Sequence, residues 1–409
     1  RLDGNQKVVS RWKIVQDALN QTMMCSKDIA DAIMKYNRSQ PWNFDVLHEF
    51  FGNCLEEEET NYFFECTLPK MLKLALDLPN LVTQPIPLLK QNTSHSITLS
   101  QKMIGSLLAN AFFCTYPRRN NIKKGAEFYM YPSINFSSLF SSMGRIHSSV
   151  KIEKLKCILH YFRMIISCEP TGIITFTRVY RLPSEMPNWE LSTCLSKLNV
   201  CLGSIESDGR GLFQVDFANK LVGGGVLGWG SLQEEIRFLT SPEMILSRLF
   251  TECLVDTECL IITGAQQYSC HSGYSDSFKW EGPYHDTALR DAWGRNYCEV
   301  VAIDAVHYDN YIKQYKPNFI LREINKAFVG FCPPSHQSSM AAVATGNWGC
   351  GAFGGHPHLK FLIQLLAASG AHRDMAYYTF GDVKLKTAIE NVYSTLVANN
   401  LTGISGARC

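Results

Sequence analysis

The chain has 409 residues, of which 46% are hydrophobic and 19% charged, so two or three domains with sizeable cores are available and a disordered chain is excluded. Its formal net charge of +2 argues against a protein built to coat nucleic acid. No apolar run reaches the roughly 18–20 residues that a membrane-crossing helix needs.

Residues 1–165 are predicted to be mainly helical. Apolar residues recur at helical spacing in 12–19 and in 68–78. The second run has Pro69 suited to a first turn and Pro79 to a stop. Residues 81–89, with Pro85 and Pro87, are expected to be extended and packed. In 100–113, Ile104, Leu107, Leu108, Ala111 and Phe112 follow the 3.6 period of a buried helix. Glu56 to Glu59 reads as a solvated helix face, and the basic run 118–124 as an exposed loop.

The pattern changes near residue 170. Residues 171–179 and 212–219 read as strands rich in β-branched and aromatic residues. Ser241-Pro242-Glu243 reads as a capped helix start that opens an amphipathic helix over 244–254. Short apolar runs follow at 260–262, 300–303 and 341–344, then a helix over 359–368, a strand-like run at 377–380 and a last helix from about Val383. Such alternation implies a layered α/β domain with a buried central sheet, whose ligands sit beyond the carboxyl ends of strands. There are 15 cysteines and no C-x-x-C pair, as expected of reduced thiols in an intracellular protein. His356 and His358 lack a third partner, so no metal is expected. The chain opens on Arg1, as expected of a piece of a longer protein.

Two segments carry chemistry. Gly223-Gly224-Gly225 leaves the 212–219 strand, and Gln233-Glu234-Glu235 follows after a short spacer. Three glycines let backbone N–H groups approach a phosphate, and the paired carboxylates suit acid chemistry at a glycosidic bond. The second segment, 345–355, also leaves a strand, and Gly346, Gly349, Gly351, Gly354 and Gly355 make it a further anion loop. Together the two loops suit the diphosphate of an ADP-type group without lysines. Gly223, Gly225 and Gly228 also satisfy the G-x-G-x-x-G spacing of a dinucleotide-dependent oxidoreductase, but Glu243, the acidic residue at the right distance, falls at a helix start. Pattern alone does not say which layered α/β fold this domain adopts.

The three glycines, spacer and Gln-Glu-Glu resemble the signature of poly(ADP-ribose) glycohydrolases of animal type, and the likeness runs from about Trp12 to the last helix. The resemblance implies a macrodomain-like three-layer α/β/α sandwich with a mixed central sheet at 166–409, preceded by a mainly helical accessory domain at 1–165. It implies hydrolysis of ribose–ribose O-glycosidic bonds in poly(ADP-ribose), mainly from chain ends, with no cofactor. Glu235 is then the general acid/base, Glu234 its ribose-positioning neighbour, and Asp216 a third catalytic carboxylate at the strand end with Asn219. Ile205 and Glu206 would contact adenine. Gly223, Gly224 and Gly225 would form the first diphosphate loop, and Asn347, Gly349 and Gly351 part of the second. Tyr274 and Phe380 would close over the ligand, Phe353 would pack near the scissile ribose, and Gln233 would act through packing and hydrogen bonds. His271 stands where the family has a tyrosine, and Leu227 and Trp229 make the spacer bulky. Expected partners are poly(ADP-ribose) and ADP-ribosylated proteins, handled by a monomer in nucleus and cytoplasm, with mitochondrial isoforms, and with neither nucleic acid nor membrane required. A non-catalytic macrodomain reader of ADP-ribose is the alternative; it does not require the carboxylate pair.

Overall fold

The computed structural model describes residues 9–38, 42–119, 123–144, 149–190, 194–332 and 341–399. Its strands are β1 (His95–Ser100), β2 (Ile173–Tyr180), β3 (Leu198–Cys201), β4 (Phe213–Ala218), β5 (Glu258–Thr263), β6 (Ser269–Ser272), β7 (Lys279–Pro283), β8 (Glu299–Asp304), β9 (Val343–Gly346) and β10 (Met375–Tyr378). Eight of them form one mixed sheet in the order β1-β2-β5-β8-β4-β9-β10-β3, and β6 and β7 form a separate hairpin. β1, β2, β5 and β8 pair antiparallel, whereas β8, β4, β9, β10 and β3 run parallel.

Helices cover both faces, which is why the central strands read as continuous apolar runs. The two-residue alternation of a strand assigns each side chain to one layer. On β5, Leu260 and Ile262 join the core shared with the Gln101–Phe112, Ser149–Ser167 and Gln233–Thr240 helices. Cys259 and Ile261 join the opposite core, shared with the Pro317–Phe331, Pro357–Gly370 and Val383–Ala398 helices. Burying one such Leu, Ile or Phe side chain contributes about 1.5–3 kcal/mol. The result is the expected α/β/α sandwich with a mainly helical first part.

The first core runs from Val15 to Ala302, so the helical part and the sheet share it. β1 arises inside the helical part yet forms the sheet edge, pairing Leu99 with Ile174. Ser96, Thr98 and Ser100 alternate with the buried Ile97 and Leu99, a short half-buried strand pattern set directly before the longer helical period of 100–113.

Three local expectations are corrected. Pro79 does not stop a helix. The first helix ends at Leu76, and Pro79 sits in the first turn of a short helix, Leu78–Leu81, where its missing N–H costs nothing. The 244–254 helix is a 3₁₀ turn (Pro242–Leu246) and one α-turn (Ser247–Phe250). The chain then extends, because Thr251 bridges to Leu89 and the amide of Leu89 bonds the Phe250 carbonyl. In the basic run 118–124, residues 120–122 lie outside the described residues, and Arg119 is half-buried, donating to the Arg248 and Leu249 carbonyls. The acidic run does lie on an exposed helix, Glu57–Tyr62, whose first turn holds three glutamates where the helix dipole favours them.

Candidate active site

A cleft of about 300 Å³ opens where four neighbouring parallel strands end. Its wall takes Asn219 after β4, Ala305 after β8, Asn347 after β9 and Phe380 after β10. This is where an α/β sheet leaves backbone groups and loop side chains unused by its own ladder. Gln233, Glu234 and Glu235 reach it from the first turn of the Gln233–Thr240 helix, and Tyr274, Gly349, Gly351 and Phe353 complete it.

The two carboxylates differ in environment although adjacent in sequence. Glu234 is buried, and accepts from the amides of Asn219 (2.9 Å) and Gly223 (2.6 Å). Burial, followed by the nearby Asp216 and Glu235 carboxyls, pushes its pKa well above the ordinary range, while the two amides pull it down. Glu235 is half-buried on the cleft wall and accepts from the amides of Gly225 (2.8 Å) and Leu232 (3.0 Å).

These contacts correct the expected role of the first glycine loop. Gly223, Gly224 and Gly225 do not line the cleft. The amides of Gly223 and Gly225 hold the carboxylates, and that of Gly224 bonds the Leu221 carbonyl. A Cβ on Gly224, at φ +43°, would lie 2.5 Å from Glu235 Oε1 and 2.6 Å from Glu234 Oε2. The glycines are needed for close approach of the protein's own acids.

Below the loop sit two buried cations outside the expected set. Arg248 Nη1 donates to the Val222 (3.2 Å) and Gly224 (2.9 Å) carbonyls, and its Nε to Ser133 (2.9 Å). Lys154, on the Ser149–Ser167 helix, donates to the carbonyls of Gly225, Val226, Gly228 and Gly230. Burial lowers the pKa of Arg248 to about 10 and that of Lys154 to about 7. Neither carries a sequence signature, since each acts on backbone distant in the chain.

The second loop keeps amides in reserve. Cys350, Gly354 and Gly355 close turns onto the carbonyls of Asn347, Gly351 and Gly349. The amides of Gly349, Gly351, Ala352 and Phe353, all cleft residues, have no acceptor among the described residues. Gly349, at φ +72°, has no room for a Cβ, which would lie 2.6 Å from that of Ala305. Asn347 is fixed by the Tyr377 hydroxyl, which donates to its Oδ1 at 2.9 Å.

Asp216 is not part of the cleft wall. Alternation along β4 turns it with Gln214 toward the Gln233–Thr240 helix, where it is 1% exposed and both its oxygens lack a hydrogen-bond partner among the described residues. Burial, then the Glu235 carboxylate, raises its pKa well above the ordinary value, opposed by Arg237. Ile205 and Glu206 also lie behind the wall, both buried. Gln233 ties the helix start to β4, accepting from the Phe217 amide and donating to Glu206 Oε1 (2.7 Å) and the Val215 carbonyl. Glu206 Oε2 is buried with no hydrogen-bond partner among the described residues. Tyr274 and Phe380 are both in the wall, Phe380 edge-on to Phe217 at 6.3 Å. His271 packs edge-on behind Tyr274 at 5.8 Å and is not a wall residue. Of the bulky spacer, Leu227 is buried and the ring of Trp229 lies 4.3 Å from Lys151 Nζ.

Comparison with known proteins agrees with this architecture. A family model described as the poly(ADP-ribose) glycohydrolase macro domain fold matches residues 186–387, and one described as its helical domain matches residues 55–178. Poly(ADP-ribose) glycohydrolase 1 of Arabidopsis thaliana is 33% identical over 81% of this chain and 74% of its own length. The probable poly(ADP-ribose) glycohydrolase 2 of the same plant gives the same identity and shares. Poly(ADP-ribose) glycohydrolase 2 of Caenorhabditis elegans is 33% identical over 75% of this chain and 62% of its own. With a macrodomain sheet, a helical part fused to its core and relatives at this identity and coverage, the chain belongs to the poly(ADP-ribose) glycohydrolase family.

Proposed function

We propose that the chain hydrolyses the ribose–ribose bonds of poly(ADP-ribose), releasing ADP-ribose mainly from chain ends. The observation that carries this is Glu235, half-buried on the cleft wall and fixed at both oxygens by backbone amides. Cleavage of the bond leaves positive charge on the anomeric carbon and negative charge on the departing oxygen. Glu235 gives its proton to that oxygen, and the carboxylate then faces the oxocarbenium-like centre. Water adds to the carbon and returns a proton to Glu235, closing the cycle. Glu234 does not take the opposite face of the sugar, because it is buried under the same helix turn. One residue therefore serves as both acid and base.

The remaining wall supports the substrate class. Free amides at Gly349, Gly351, Ala352 and Phe353 suit a diphosphate. Tyr274 and Phe380 offer ring faces to a base and ribose. A cleft of this size takes one ligand-sized unit, which favours action at an end. Labelled polymer incubated with the protein is expected to release ADP-ribose; no release beside an active control overturns the proposal. In Glu235→Gln, turnover should fall by about 10²–10⁴-fold while calorimetry still detects ADP-ribose binding. Retained turnover removes Glu235 from the acid role.

A further inference from the structure

A trans peptide unit is planar and points its C=O and N–H in opposite directions. Two peptide units of the first glycine loop use both ends. In the Val222–Gly223 unit, the carbonyl accepts from Arg248 Nη1 at 3.2 Å and the amide donates to Glu234 Oε1 at 2.6 Å. In the Gly224–Gly225 unit, the carbonyl accepts from the same nitrogen at 2.9 Å and the amide donates to Glu235 Oε1 at 2.8 Å. One guanidinium nitrogen thus fixes the rotation of both planes, and each plane delivers one N–H to one acid. The guanidinium is itself packed and bonded: the side chain is 6% exposed, and Nε donates to the Ser133 carbonyl of the helical part. Lys154, also from the helical part, gathers the four carbonyls that follow, at Gly225, Val226, Gly228 and Gly230.

We propose that Arg248 is a positioning residue for catalysis, setting the geometry of Glu234 and Glu235 through two rigid peptide planes, with Lys154 holding the rest of the loop against the helical part. This rests on the reading of Glu235 as the acid. It assigns a task to the helical part, which supplies Ser133 and Lys154 and, among the described residues, no cleft residue. The charged groups facing Arg248 are Glu234, Glu235 and Arg119. Those facing Lys154 are Glu235, Lys151 and Arg248, with the Cys157 thiol.

The test uses Arg248→Gln, Arg248→Lys and Lys154→Met in the full chain. In Arg248→Gln, kcat on polymer is expected to fall by about 10²-fold, the cost of an ångström-scale misplacement. KM and the Kd for ADP-ribose should stay within about threefold, because the second loop and the aromatic wall are untouched. Loss of the cation also removes a charge that favours ionised carboxyls, so the pH–rate profile should move to higher pH. Arg248→Lys keeps the charge and loses the fork. Its profile should stay in place while kcat remains low, and it serves as the folded variant should Arg248→Gln not fold. Lys154→Met should show the same kcat-against-KM split. A purely structural role would lower the unfolding midpoint while the folded Arg248→Gln and Arg248→Lys proteins keep wild-type kcat, and that result overturns the proposal. So does a fall in kcat matched by an equal loss of ADP-ribose binding. Failure is distinguishable from failure of the activity itself, since an inactive wild type sinks the latter and the variant-to-wild-type ratio decides the former.

Discussion

Glu234 and Glu235 share a helix turn and an amide-bonded geometry, yet substitution should separate them. A carboxyl oxygen accepts in either protonation state, whereas a Gln amide nitrogen does not. Glu235→Gln can turn its NH₂ toward Leu232, an exposed residue whose amide water can satisfy. Glu234→Gln has no such choice, because the donors at Asn219 and Gly223 occupy both its oxygens in a buried site. One donor must then face another, at about 1–3 kcal/mol. Glu234→Gln is therefore expected to lower the unfolding midpoint by several degrees relative to Glu235→Gln, with turnover reduced in both. Calorimetric scans of the two variants at one pH decide it, and equal midpoints would refute the asymmetry.

At the scale of the element, the glycine loop divides its own glycines into needed and dispensable. A Cβ on Gly230 would lie 2.5 Å from Glu235 Oε1 and 2.9 Å from Gly225 Cα, whereas one on Gly228 meets only the Gly225 carbonyl at 3.6 Å. Gly230→Ala and Gly224→Ala should each displace Glu235 and cut kcat by about 10²-fold; Gly228→Ala should stay within a few-fold of wild type. Steady-state kinetics on polymer check this, and a severe loss in Gly228→Ala alone would contradict the geometry. The contrast also shows how far the sequence could be read. The loop, the Gln-Glu-Glu helix start and the second glycine segment are local patterns, and their meeting at strand ends follows from α/β alternation. What the loop amides bind is a tertiary fact: a run of glycines announces close approach and not the identity of the approaching group. Arg248 and Lys154 leave no trace because Arg248 bonds backbone 24, 26 and 115 residues away and Lys154 backbone 71–76 residues away. β1 carries the alternation of a half-buried strand through Ile97 and Leu99 but is only six residues long beside a strong helical period, and the catalytic role expected of Asp216 rests on the resemblance, because strand position alone does not say which face meets the ligand.

Across the whole molecule, the helical part and the sheet domain meet at a further buried carboxyl. Glu243 is fully buried and accepts from Gln101 Nε2 (2.8 Å) at the start of the Gln101–Phe112 helix, from the Tyr268 hydroxyl (2.8 Å) and from the Gln266 amide (2.9 Å). Burial raises its pKa from 4.5 to about 7, against the pull of these three donors. The sign of the linkage follows. Between pH 4.5 and 7 the folded state keeps a proton that the unfolded chain has lost, so the stability contributed by this group is complete below pH 4.5 and is lost as pH rises to 7. A shift of this size amounts to about 3 kcal/mol. Glu234 and Asp216, raised by the same cause, add to the slope in the same direction, so the wild-type profile alone does not isolate Glu243. The difference between wild type and Glu243→Gln does. Gln cannot ionise, and its amide loses the same hydrogen-bond energy at every pH. The variant should be less stable than wild type at pH 5, and the gap should close or reverse by pH 8, with a change of about 3 kcal/mol in the difference. Denaturant unfolding followed by intrinsic fluorescence at the two pH values measures it directly. A gap that stays constant with pH would mean that Glu243 is ionised in the folded protein and that its three donors outweigh burial at the junction of the two parts.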